Sequence, residues 1–193
     1  MKKTIFKLIT LISVSAILTS CGTDKTEDSS TVNQKDTALV NHKSCAMYYA
    51  EAKAIDSILM HETVLQKDLA NRAINAFNLY ASECGNDSLS PVFLLKAGQV
   101  AQSIGNYQQA EVLLKKCSST FTNFRNRGAV LFVLAQLYDE PTMLNNEAEA
   151  KKIYEEIIKT YPGSAWERDA KASIANLGKT DEQLIKEFLK KNK

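Results

Sequence analysis

The sequence predicts an all-α fold, a stack of about eight antiparallel helices, and three observations carry that prediction. Apolar residues return every three or four positions through most of residues 44–193, as the buried stripe of a helix requires. Only three prolines and seven glycines occur in 193 residues, and most fall between the periodic segments. An alanine followed four positions later by a large apolar residue recurs as Ala73-x3-Phe77, Ala110-x3-Leu114 and Ala150-x3-Tyr154, at separations of 37 and 40 residues.

The unit that defines the pattern is residues 91–124. Its first helix carries Leu94, Ala97, Gly98 and Ala101 on one side and Val92, Leu95, Gln99 and Gln102 on another. Gly105-Asn106 breaks it, since both residues end helices at low cost. Its second helix turns Ala110, Leu113, Leu114 and Cys117 inward. Read together, Leu94-x2-Ala97-Gly98-x2-Ala101, Tyr107 and Ala110-x3-Leu114 resemble the tetratricopeptide (TPR) repeat, W-x2-L-G-x2-Y then A-x3-F then P over 34 residues. The resemblance implies a TPR-like right-handed helical solenoid. Small Gly98 and Ala110 would let the two helices approach, with Tyr107 and Leu114 filling the wedge between them.

The other elements follow in chain order. Residues 44–59 form a first helix with Tyr48, Ala52, Ile55 and Ile58 inward, and 61–66 a break. Residues 67–84 form a second, with Leu69, Ala73, Phe77 and Tyr80 inward. The stretch 85–87 ends it, and Ser90-Pro91 opens the next with a cap and a proline at the first turn. Leu131-x2-Leu134-Ala135-x2-Tyr138 repeats the motif, stops near Pro141, and is completed by Ala150-x3-Tyr154 and Tyr161-Pro162-Gly163. Ser164 caps a helix over 165–176, and Thr180 with Gln183 makes a capping box for 181–190. Lys186, Lys190, Lys191 and Lys193 give the last pair a polar end, as a terminal repeat needs.

The N-terminal 20 residues read as an address. A basic start (Lys2, Lys3, Lys7) precedes an apolar run over 5–18, the shape of a secretory signal. Leu18-Thr19-Ser20-Cys21 resembles the bacterial lipobox, which implies that Cys21 becomes the mature N-terminus and carries acyl chains. Two or three such chains anchor stably, at about 0.8 kcal/mol per buried CH₂. Residues 21–43, rich in Thr, Ser, Asp, Lys and Asn, bury too little to order themselves and read as a flexible tether. The organisation expected is therefore a signal peptide over 1–20, a tether over 21–43 and a helical domain over 44–193.

Further strings extend the resemblance to envelope TPR lipoproteins, of the kinds that accompany outer-membrane β-barrel assembly or coordinate cell division. They are Leu89-Ser90-Pro91, residues 105–111 (GNYQQAE), residues 149–162 (EAKKIYEEIIKTYP) and residues 176–182 (NLGKTDE). This resemblance covers a little over half of the chain. It implies an outer-membrane lipoprotein facing the periplasm or the cell surface. Gly22 after the lipidated cysteine fits outer-membrane sorting, and the acidic Asp24, Glu27 and Asp28 fit a surface-export signal.

Charge and chemistry narrow the function. Three of the 24 basic residues, Lys2, Lys3 and Lys7, lie in the signal, leaving 21 basic against 22 acidic residues. That balance speaks against a nucleic-acid partner. His42 and His61 have no Cys or His at ligand spacing, and no C-x-x-C occurs, so no metal or cofactor is expected. No phosphate loop or catalytic motif appears, and the protein is not expected to be an enzyme. Cys117 reads as core. Cys45 and Cys84 would lie at the same open end of a helical hairpin, where they either form a disulfide or stay as small apolar thiols.

By the family pattern, the groove of such a solenoid is lined by Val92, Leu95, Gln99 and Gln102, then Phe132, Gln136 and Asp139, then Trp166 and Asp169. Leu95 and Phe132 have a second reading, as packing under a neighbouring helix. The Lys and Asn clamp by which chaperone-binding TPR domains hold a carboxylate is absent. The function expected is a membrane-anchored protein-interaction module, a scaffold or assembly subunit that binds a protein or peptide partner in the envelope. An accessory or regulatory subunit of a cell-wall or envelope enzyme is the alternative.

Overall fold

In the computed structural model, residues 43–85 and 87–191 are described. The expected signal peptide, the lipidated Cys21, all of the tether but Lys43, and Asn86, Asn192 and Lys193 lie outside them. Among the described residues there are eight helices and no strand. They are α1 (Cys45–His61), α2 (Lys67–Glu83), α3 (Ser90–Ser103), α4 (Tyr107–Thr120), α5 (Arg127–Asp139), α6 (Glu147–Thr160), α7 (Ala165–Asn176) and α8 (Asp181–Lys191). No helix among them is long and apolar enough to cross a membrane.

From α1 to α7 each helix packs on the next, and α5 also touches α3 and α7. Side-chain pairings show that consecutive helices run antiparallel. The Cys117 thiol, near the end of α4, donates to the carbonyl of Pro91 at the start of α3, at 3.3 Å. Arg127, first in α5, reaches Glu156 near the end of α6 at 2.7 Å, and its Nε donates to the Ser118 carbonyl of α4 at 2.9 Å. The second helices are joined as well: Lys116 of α4 donates to Ser82 of α2 at 2.9 Å. Helix pairs stacked in order, with first helices touching first helices, make a TPR-like helical solenoid.

The core lies where the repeat pattern puts it. Ala73, Phe77, Leu94, Ala97, Ala110, Leu114, Ala150 and Tyr154 are all fully buried. Phe77 stacks on Phe93 with ring centroids 5.3 Å apart, and Tyr80 meets the edge of Phe93 at 4.9 Å. At Gly98, α3 leaves no room for a side chain against α4. A Cβ built on this glycine would lie 2.7 Å from both Cγ and Cδ2 of Leu114. The turn after α3 uses Gly105 at φ +75°, a conformation that costs glycine little and other residues more.

Helix starts explain most of the boundaries. Asn106, Asn146 and Ser164 each accept a hydrogen bond from the backbone three residues on. The capping box before α8 forms in both directions: Gln183 N–H donates to Thr180 Oγ1 at 3.3 Å, and Thr180 N–H to Gln183 Oε1 at 2.9 Å. The cap of α3 differs from expectation. Ser90 is already helical and fully buried, and Asp87 accepts from the backbone of Leu89 at 3.0 Å and of Ser90 at 2.8 Å. A carboxylate three residues ahead of Ser90 satisfies two orphan donors at once, and so displaces the serine hydroxyl, which donates to Gly85 at 2.6 Å.

Asp87 also accepts from the Tyr80 hydroxyl. Burial works to raise its pKa, but the bonds from Tyr80, Ser90 and Leu89 outweigh it and hold the carboxyl below its ordinary value. A folded pKa lowered in this way adds stability above the unfolded value near ~3.9, and that stability is lost as pH falls through the folded pKa. Asp87→Asn is therefore expected to flatten the acid limb of the stability profile. Urea midpoints taken between about pH 2.5 and 6 check this. Equal slopes in the two proteins would refute it.

The last helix departs from the polar end expected. Lys186 and Lys190 are exposed, but Ile185, Phe188 and Leu189 are exposed too, at 59%, 67% and 58%. Apolar positions on a terminal helix need not face the stack, and the sequence pattern alone does not say which neighbour they meet.

Candidate protein-interaction face

The first helices of successive pairs, α3, α5 and α7, share one face. It is held together by contacts the local sequence does not reveal. Asp56 of α1 is buried and accepts both oxygens' worth of bonds from Lys96 of α3, at 2.5 and 2.7 Å, across 40 residues of chain. Gln102 of α3 donates to the sulfur of Met143 in the α5–α6 connection at 3.6 Å. Phe132 of α5 meets Trp166 of α7 at 5.9 Å and Tyr154 of α6 at 5.7 Å between ring centroids. Trp166 in turn packs on Gly128, where an added Cβ would come within 2.8 Å of the indole.

The nine residues expected to line a groove thus have different surroundings. Gln99, Gln136 and Asp169 are exposed, one on each of the three helices. Val92, Leu95 and Gln102 are half-buried, with Leu95 packed against the core. Phe132 and Trp166 are half-buried and packed on each other. Asp139 accepts from the Tyr154 hydroxyl at 3.0 Å, so its carboxylate is already engaged within the fold. Lys96, which adds a positive charge to this face, is likewise committed to Asp56. What α3, α5 and α7 present outward from these nine positions is two amides and one carboxylate.

A cleft of about 690 Å³ lies at the end of α5 and α7, lined by Asp139, Glu140, Thr142, Glu147, Ser173 and Lys179 among others. Among the described residues no group of three or more Cys, His, Asp or Glu could hold a metal ion.

On the outer side, Glu111 accepts from Lys115 at 2.7 Å and from the Tyr138 hydroxyl, and those two bonds, Lys115 first, hold its carboxyl below the usual range. The pair ties α4 to α5. At the far end Cys45 and Cys84 are thiols, the first exposed and the second half-buried. Cys117 is a buried thiol, pushed up to about 12 by burial.

Sequence reasoning missed Asp56, Lys96 and Met143. An aspartate on the inward stripe of α1, one residue after Ile55, is a signal that could have been read: a buried carboxylate requires a cation.

The tetratricopeptide-repeat family model matches residues 129–164. That window covers most of α5, all of α6 and the cap of α7. No curated protein and no solved structure matches the chain. The matched unit is the second clear repeat and not the one over 91–124. The reason is in the residues: Leu134, Ala135, Tyr138, Tyr154 and Pro162 put a leucine, a small residue, two aromatics and a proline at the signature positions. The earlier unit has Ala101 where the first aromatic belongs. TPR units are in general non-enzymatic modules for protein–protein interaction, and this chain carries one.

Proposed function

We propose that this protein is a lipid-anchored interaction module of the bacterial envelope, a scaffold or assembly subunit held at the outer membrane. The anchor reading is supported by Leu18-Thr19-Ser20-Cys21 behind a basic and apolar leader, and by the polar stretch 21–43 that separates Cys21 from α1. Acylated Cys21 holds the chain to the membrane, and the helices over 44–193 present the binding face to the periplasm or the medium.

The observation that carries the interaction reading is the shared face of α3, α5 and α7, where Gln99, Gln136 and Asp169 stand exposed while Lys96 and Asp139 are spent on internal partners. A face with two amides outward, its lysine spent on Asp56 and its Asp169 carboxylate 3.8 Å from Arg168 Nε, suits an extended protein segment held by amide and apolar contacts.

Two measurements test the two halves. A photo-crosslinking residue at Gln99 or Gln136 in the full-length protein is expected to give one defined adduct that exposed Lys152, on α6, does not give. The same adducts from Lys152 would refute the interaction face. Cys21→Ser is expected to move the protein from the membrane fraction to the soluble fraction and to remove the acyl mass from the N-terminal peptide. An unacylated wild-type peptide would refute the anchor.

A further inference from the structure

We propose that Cys45 and Cys84 close an intrachain disulfide that ties the first turn of α1 to the end of α2, through exchange with a disulfide oxidant of the envelope. The place of oxidation rests on the envelope reading above. The pairing itself rests on geometry.

Cys45 is the first residue of α1, and Cys84 is the C-cap of the antiparallel α2. The Cys45 thiol donates to the Glu83 carbonyl at 3.6 Å, and that carbonyl is joined by one peptide bond to Cys84. Burial first, and then the neighbouring Cys45 thiol, push Cys84 up to about 12. Cys45 is exposed, so it can turn about its Cα–Cβ bond to meet Cys84 without displacing packed neighbours. The third described cysteine is excluded, since Cys117 is fully buried and bonded to Pro91. The bond would fall at the N-terminal end of the described stack. Helix α1 packs on α2 and is tied to α3 through Asp56 and Lys96, and nothing stacks on its other side among the described residues.

The reaction balances as ordinary thiol–disulfide exchange. The Cys45 thiolate attacks one sulfur of the oxidant's disulfide, forming a mixed disulfide and releasing the first thiolate. Cys84, once deprotonated, attacks the Cys45 sulfur and releases the second. Two protons and two electrons leave the pair, and the oxidant departs as two thiols.

The test is oxidation of the full-length protein in detergent by oxidised glutathione. The expected product has lost two hydrogens by intact mass, and a proteolytic digest joins the peptides of Cys45 and Cys84. It melts roughly 5–10 °C above the reduced form. Cys45→Ser abolishes the linked peptide while its melting matches that of the reduced wild type, which shows that the fold survives the change. Glutathione adducts on both cysteines without a linked peptide, or a link to Cys117, would overturn the pairing. A second arm traps thiols in growing cells with an alkylating agent. Linkage in the tube together with alkylated Cys45 and Cys84 in the cell would overturn the native bond and count against the envelope reading. Failure in the tube overturns the pair and leaves that reading untouched.

Discussion

Phe77→Ala is expected to cost about 3–5 kcal/mol. The side chain is fully buried, and it stacks on Phe93 at 5.3 Å while Tyr80 closes on the other edge of Phe93. Removing the ring therefore leaves a cavity against Phe93 of α3, which in turn meets Tyr80 of α2. Those rings are held by their own neighbours, and Tyr80 is further fixed by its bond to Asp87. The site cannot collapse well, which places the cost at the upper part of the range. In a domain of this size each kcal/mol lowers the melting temperature by about 2–4 °C. Thermal and urea unfolding check the value. A loss under about 1 kcal/mol would mean that α1 and α2 unfold independently of the remainder, and two transitions would then be seen.

Gly98 and Leu114 form the second test. Gly98→Ala places a methyl 2.7 Å from two carbons of Leu114, whose side chain is fully buried. Overpacking of this kind costs about 1–3 kcal/mol. Leu114→Ala alone leaves a cavity and costs about 2–5 kcal/mol. The double substitution is expected to cost less than the sum of the two by about 1 kcal/mol or more, because the new methyl at 98 occupies space that the leucine vacates. Strict additivity would show that the two helices are not in contact at this point.

The features that sequence revealed are the local ones. Asn106, Ser164 and the Thr180–Gln183 pair set helix starts by bonding within three residues, so spacing alone discloses them. The inward positions of α3 and α4 follow from the 3.6-residue period, and Gly98 against Leu114 follows from the repeat signature. The cap of α3 was misplaced because serine and aspartate compete for the same backbone donors, and the outcome depends on the fold of the 85–89 turn. At the candidate face the nine positions were readable as one side of three helices, but their surroundings were not. Whether Phe132 faces outward or leans on Trp166 is decided by Gly128, whose missing side chain makes room for the indole. Asp56–Lys96 joins residues 40 apart, a distance over which periodicity carries no information.

The three links along the first helices have a consequence for how the molecule comes apart. A stack in which each helix touches only the next would open like a zipper, losing its ends first while the middle stays closed. Asp56–Lys96, Gln102–Met143 and Phe132–Trp166 each reach past an intervening second helix, from α1 to α3, from α3 to the α5–α6 connection, and from α5 to α7. No helix pair between α1 and α7 can open without also breaking a link to its neighbour. Amide hydrogens from α1 to α7 should therefore exchange together, through one cooperative opening. Those of α8, whose Ile185, Phe188 and Leu189 are exposed, should exchange earlier and separately.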